Sequence, residues 1–310
     1  MTRLISFLAH AVYMGTPLLF GTVGEIQNEK AGHLNLGVEG TMAMGACAGF
    51  MVAYKTGSLW LSILAAFLMG ALVSLIYAFL TITMMANQNV TGLTLTIFGT
   101  GLSNFIGEQM ISASPTGNLK LPDGVMSSLK NIDIPLLSKI PVLGEVLFSQ
   151  NIFTYLSIVI AVIMFIYLKK TKVGLNLRTI GENPAVADAV GISVVKYKYI
   201  NVLIGGGIMV INGGVWMANS VNGLGWIAVA LVIFAVWNPA RAIYGAYIFG
   251  AFMVLKYYFP KNLGFTVPES FFDMLPYLVT ALVLIITSVK KSRERSQPQS
   301  CGINYFREER

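Results

Sequence analysis

LWLSILAAFLMGALVSLIYAFLTITMM, residues 59–85, runs for 27 positions without a charged residue or a proline. A helix crossing the hydrocarbon core of a bilayer needs roughly 20 apolar residues, so this run is long enough to cross with a tilt or a kink. Working outward, comparable apolar runs lie near 4–24, 36–56, 91–107, 149–168, 199–220, 224–240, 242–258 and 272–289. Strands of a membrane barrel would alternate over about ten residues, and these do not. The 91–107 run is short enough to read as a broken segment. Composition agrees: 55% of the 310 residues are hydrophobic and 11% charged, against about a quarter charged in a soluble domain. The fold class is all-α, a polytopic transmembrane helix bundle of about nine spans over residues 1–289, with a basic tail at 290–310. The first run has no A-x-A-like cleavage site and leads into further spans, so it reads as a retained helix rather than a signal peptide. Cys47 falls inside a span and Cys301 in the tail, and no disulfide is expected between them.

Charge placement orients the bundle. Residues 169–198 carry Lys169, Lys170, Lys172, Arg178, Lys196 and Lys198 against Glu182 and Asp188, and Lys290, Lys291, Arg293 and Arg295 follow the last span. Cytoplasmic loops carry such an excess, and four spans separate the two regions, so both can be cytoplasmic. The same parity puts the 108–148 loop and the N-terminus outside and the C-terminus inside a plasma or inner membrane. The net charge of +7 is then positive-inside bias. Nucleic-acid binding is not expected, because no basic stripe interleaved with aromatics appears.

Enzymatic chemistry is tested by what is missing. The sequence holds no G-x-x-x-x-G-K-[ST] loop and no HExxH. His10 and His33 are the two histidines, and all four aspartates fall in loops or at helix edges. No metal site and no catalytic constellation is expected, and a transporter or channel is the default reading.

Between the fifth and sixth runs, Asn183 suits an N-cap, Pro184 a first helical turn and Gly191 a C′ position. They predict a two-turn helix near 184–190, too short to stand alone. Its small apolar residues offer either a knob for a soluble partner or a face for lipid headgroups. In GHLNLGVEG, residues 32–40, Asn35 and Glu39 share a helical face if the second span begins early. Either they line a solute path, since ionisable residues inside a membrane face interiors or cavities, or the glycines make tight turns and Asn35 caps the helix. Asn201 and Asn212 lie eleven residues apart, three helical turns, with Asn219 on the same face, and Asn104 and Asn222 add amides beside other spans. Amides suit a neutral hydroxylated or heterocyclic solute, and they serve interhelical hydrogen bonding equally well.

The segment TIGENPAVADAVGI, residues 179–192, resembles the coupling-helix region of ATP-binding cassette importer permeases of the sugar, branched-chain amino acid and nucleoside group. AGHLNLGVEGTMAMGA (31–46) and NGLGWIAVALVIFAVWNP (222–239) are similar to that family's signatures, and PQSCGINYFREER (298–310) is similar to tails of its nucleoside and simple-sugar branch. The resemblance implies an importer permease fold and a nucleoside as substrate, with a simple sugar or a branched-chain amino acid as alternatives. It implies that Gly181, Glu182, Asn183, Pro184, Ala185, Ala187, Asp188 and Gly191 couple to a separate ATPase subunit, on which ATP and Mg reside, this chain holding no cofactor. It further implies a second permease, usually a paralogue, and an extracytoplasmic substrate-binding lipoprotein. Asn35, Glu39, Asn104, Asn201, Asn212 and Asn222 are the candidate substrate-path residues. The reading from a different class, a self-sufficient secondary transporter or channel, wants titratable residues deep in the spans, and Glu39 is the candidate for that.

Overall fold

The computed structural model describes residues 2–114, 119–135, 137–138, 140–211, 221–258, 268–289 and 297–307. Helices dominate them: α1 (Thr2–Lys30), α2 (Val38–Thr56), α3 (Leu59–Ala78) prolonged by a π-helical turn (Phe79–Thr83), and α4 (Gln88–Ala113). Then follow the short α5 (Asp123–Ser128) and α6 (Leu143–Leu147), α7 (Ile152–Lys170), α8 (Lys172–Glu182), α9 (Pro184–Ala189) and α10 (Val194–Met209). The chain closes with α11 (Leu224–Phe234), α12 (Pro239–Tyr258) and α13 (Glu269–Val289). Two-residue strands β1 (Ile132–Asp133) and β2 (Ser149–Gln150) pair antiparallel in the loop between α4 and α7.

The pattern within α3 shows why the bundle suits lipid. Trp60, Leu61, Leu64, Leu68, Leu72, Leu75 and Ile76 are exposed, while Ser62, Ala66, Gly70, Ser74 and Tyr77 are buried. Large apolar side chains therefore face outward and small or polar ones inward, the reverse of a soluble helix. Between helices in a bilayer, close packing of small residues and hydrogen bonds replace the hydrophobic drive. Ser62 accordingly donates to the Gly49 carbonyl at 2.8 Å. α1 is the central post, packed against α7, α10, α11 and α12. It crosses α10 so tightly that a Cβ at Gly24 or Gly205 would overlap the facing backbone.

Helices lie on all nine apolar runs, with corrections that matter for function. By length and composition alone, Arg3–Lys30, Leu59–Thr83 and Ile152–Lys170 suffice to cross a membrane. α4 is a continuous 26-residue helix, so the fourth segment is not the broken one; the seventh is. α11 has only 11 residues, about 16 Å at 1.5 Å per residue, half of a hydrocarbon core of about 30 Å. Its far end turns through Val236 and Trp237, both at positive φ (54° and 51°), before α12 begins. α1 runs past residue 24 to Lys30, where Gly32 (φ 84°) stops it. The stop is a paired bond set, Gly32 N–H to Glu29 C=O at 2.9 Å and His33 N–H to Asn28 C=O at 3.0 Å, which satisfies the last carbonyls.

Candidate functional site

At one end of the bundle, α8 and α9 form a bent pair. Asn183 makes the bend: its N–H donates to the Thr179 carbonyl at 2.8 Å, ending α8, and its side chain accepts the Val186 N–H at 3.1 Å, opening α9. Pro184 supplies the first helical residue. Gly191 (φ 84°) closes α9, donating to Asp188 C=O while Ile192 donates to Ala187 C=O, each at 3.0 Å. The two faces of α9 differ. Ala187 is fully buried with Ile180 and Val194 and is covered by Ile192, Tyr197 and Tyr305. Val186 and Val190 point outward, 52% and 69% exposed, with Glu182 exposed beside the half-buried Ala185. Of the coupling candidates, Ala187 and Gly181 are therefore internal supports. Gly181 sits against the Lys30 carbonyl with no room for a Cβ.

Residues 297–307 pack back as a strap instead of trailing as a free tail. Ser300 bonds Gly181 C=O through its N–H (2.9 Å) and hydroxyl (2.6 Å). Asn304 donates to the carbonyls of Met85 (2.7 Å) and Ala86 (3.0 Å), just past the π-helical end of α3, and accepts from Gln88 of α4 at 3.1 Å. The Tyr305 hydroxyl donates to Asp188 Oδ2 at 2.9 Å, and Arg307 Nε lies 3.1 Å from the same oxygen. The strap thus joins α9 to the ends of α3 and α4.

Beneath it lies a buried polar cluster that the sequence reading missed. Glu25, Gln27, Asn28 and Glu29 of α1 are all buried. Glu25 accepts from Asn28 Nδ2 (2.8 Å) and from the Asn35 N–H (2.9 Å), tying the 31–37 turn to α1. Glu29 accepts from the Trp237 indole and the Cys301 thiol. Burial and the neighbouring Glu29 carboxylate push the Cys301 thiol well above its usual range. The available signal was spacing: Glu25, Asn28, Glu29 and Gly32 fall at i, i+3, i+4 and i+7, with no breaker before Gly32. His33 is 1% exposed and edge-on to Tyr77, with ring centroids 6.2 Å apart. Burial, reinforced by the positive charge of Lys198, holds its imidazole well below the usual range, so it is neutral.

The path candidates separate. α2 begins at Val38, so Asn35 is not on its face: its Oδ1 accepts the Gly37 N–H at 2.9 Å in the preceding turn. Asn201 is a packing residue, accepting from Tyr167 (2.9 Å) and Gln27 and donating to the Tyr197 carbonyl (2.7 Å). Asn104 lies half-buried on α4. Asn212, with Asn219, lies outside the described residues. Glu39 and Asn222 come together at the start of α11. There Gly223 (φ 82°) opens the half-length helix, and Gly225 packs on Glu39 so closely that a Cβ would overlap it. The Glu39 carboxylate faces the backbone of Gly223 and Trp226. Its Oε2 has no hydrogen-bond partner among the described residues, though the residue is 6% exposed. Asn222 and Gly223 also line a cavity of about 410 Å³ between α1, α11, α12 and α13, walled by Met14, Tyr257, Asp273 and Tyr277. α11 thus opens beside a cavity lined in part by polar groups, and transporters place solute sites at such cavities within the helix bundle.

Comparison with known proteins agrees. The profile of the family described as "Branched-chain amino acid transport system / permease component" matches residues 7–286. The chain is 36% identical to a Haloferax volcanii protein provisionally named glucose ABC transporter permease protein TsgC13, over 79% of this chain and 75% of that one. It is 31% identical to the nucleoside ABC transporter permease protein NupC of Lactococcus lactis, over 97% and 96% of the two chains. It is 33% identical to the guanosine ABC transporter permease protein NupQ of Bacillus subtilis, over 91% and 92%. Among solved structures, a transporter provisionally assigned to the metal-chelate ABC type, in an inward-facing conformation, covers 92% of this chain and 85% of its own. The TM-score is 0.50 at 15% identity, which speaks to the fold alone. With its helical membrane fold and a profile match over nearly the whole chain, the protein belongs to this permease family and is a membrane-embedded transport subunit of an ATP-binding cassette system.

Proposed function

We propose that this chain forms half of the pore of an importer that carries nucleosides, powered by ATP hydrolysis on a separate subunit. The observation that carries the substrate class is the alignment with the two nucleoside permeases over more than nine-tenths of every chain compared. The α8–α9 end faces the cytoplasm, in keeping with its Lys and Arg excess, and α9 presents Val186 and Val190 to the ATPase. ATP and Mg belong to that partner, and this chain binds neither. The second half of the pore is a paralogous permease, and an extracytoplasmic lipoprotein delivers the solute. ATP-driven movement of the ATPase reaches the membrane through residues 181–191 and the helices beneath them, and alternates access to the path beside α11. A simple sugar is the second reading, favoured by the identity with TsgC13.

The test is uptake of radiolabelled guanosine by cells with and without the gene, in competition with unlabelled ribose, galactose, glucose and leucine. Loss of uptake that nucleosides alone compete away is the expected result. Unchanged guanosine uptake in a strain without a redundant route refutes the nucleoside reading and moves sugar to first place.

A further inference from the structure

Resting on the nucleoside reading above, we propose that the cavity between α1, α11, α12 and α13 is a transit site that holds one nucleoside, the base against Tyr257 and Tyr277 and the ribose toward Asn222. At about 410 Å³ the cavity falls within the range of small-molecule sites, about 300–1,000 Å³. It opens where α11 begins, at Asn222 and Gly223.

Charge narrows the ligand. Lys256 is committed: its Nζ lies 3.0 Å from Asp273 Oδ1 and 5.5 Å from the centre of the Tyr257 ring. The wall thus holds a neutralised pair, and among the described lining residues no cation is left for the carboxylate of an amino acid or the phosphate of a nucleotide. What remains is donor and acceptor chemistry for a neutral solute. The Asn222 amide, at the cavity wall, both donates and accepts, which suits the hydroxyls of a ribose diol.

The aromatic wall selects a base. Tyr257 is 70% exposed and Tyr277 44% exposed. The Tyr277 hydroxyl hangs over Gly223, 3.9 Å from where a Cβ would stand, and it interacts electrostatically with both Glu39 and Asp273. Flat rings stack on any nucleobase without reading its sequence of donors, so the site takes purine and pyrimidine nucleosides alike.

The experiment uses the whole transporter in proteoliposomes. Met14, which lines the cavity without a role in the proposed contacts, is changed to cysteine (Met14→Cys) and labelled with a charged thiosulfonate from the α11-opening side. Cys47 is buried and Cys301 lies at the opposite end, so neither competes. Guanosine in several-fold excess over its Kd slows labelling by at least about fivefold, whereas glucose, leucine and guanosine monophosphate leave the rate unchanged. Adding Tyr277→Leu or Tyr257→Leu removes the protection, and Tyr277→Phe, which keeps the ring, retains it. Guanosine transport is measured on the same vesicles. Transport without protection overturns the cavity assignment, protection by glucose in place of guanosine overturns its selectivity, and absence of guanosine transport refutes the functional reading itself.

Discussion

Replacing Tyr305 with phenylalanine should loosen the coupling helix far more than removing the nearby arginine. α9 has six residues, too few to be stable alone, so its order is borrowed from packing on Ala187 and from the strap. Two bonds from the strap reach Asp188 Oδ2, one from the Tyr305 hydroxyl at 2.9 Å and one from Arg307 at 3.1 Å. They are unequal. The Asp188 side chain is only 12% exposed, and a hydrogen bond to a charged acceptor contributes about 1.5–3 kcal/mol. The Arg307 side chain is 75% exposed, so that ion pair is screened and contributes about 0–1 kcal/mol. Tyr305→Phe keeps the ring that covers Ala187 and removes only the hydroxyl. In hydrogen-exchange mass spectrometry of the assembled transporter, it should accelerate exchange across residues 186–192 by about tenfold to a hundredfold. Arg307→Ala should accelerate it less than about fivefold, and solute moved per ATP should fall in the tyrosine variant first. Equal effects of the two substitutions, or none from Tyr305→Phe, would refute the strap.

Further outcomes follow from the geometry. His33 is held neutral by burial, so below about pH 6.5 the unfolded chain binds a proton the folded one resists. Stability should fall by about 1.4 kcal/mol per unit as pH drops from there toward the folded-state value, with no such term above pH 6.5. Thermal melts at pH 7.5 and 5.5 should show a smaller acid loss in His33→Asn than in the parent. Gly225→Ala forces a methyl into Glu39 and should cost about 1–3 kcal/mol together with much of the uptake. Gly101→Ala, where nothing stands within 4 Å, should leave melting and uptake near the parent's. Val236 carries a β-branched side chain at φ 54°, which costs about 1–2 kcal/mol, so Val236→Gly should raise the melting temperature by about 2–4 °C; a lower value would show that the side chain matters more than the backbone.

The spans were legible because lipid demands long apolar helices, and no tertiary contact can waive that demand. The short helix α9 was legible for a local reason, since an N-cap asparagine, a proline and a terminating glycine act within a few residues of one another, whereas α8 before it was not foreseen. Where a helix ends inside the bundle was not legible. Residues 25–29 look like a polar loop, yet α1 continues through them because Trp237 and Cys301, distant in sequence, and Asn35, in the turn that follows, supply partners for the glutamates. The break in the seventh run had a local signal that was passed over: residues 224–237 are apolar, but Asn238 and Pro239 follow, and the chain turns through Val236 and Trp237 before Pro239 opens α12. Composition placed Asn201 and Asn222 in one class. Tertiary structure alone separates the amide buried against Tyr167 from the one exposed at the cavity.

The most direct test is accumulation of radiolabelled guanosine in proteoliposomes that hold this chain, its permease partner and the ATPase, supplied by the binding protein. ATP should drive accumulation above the outside concentration, a non-hydrolysable analogue should not, and vesicles without the ATPase should take up none. Concentrative guanosine uptake by this chain without an ATPase would contradict the account and make it a self-sufficient transporter.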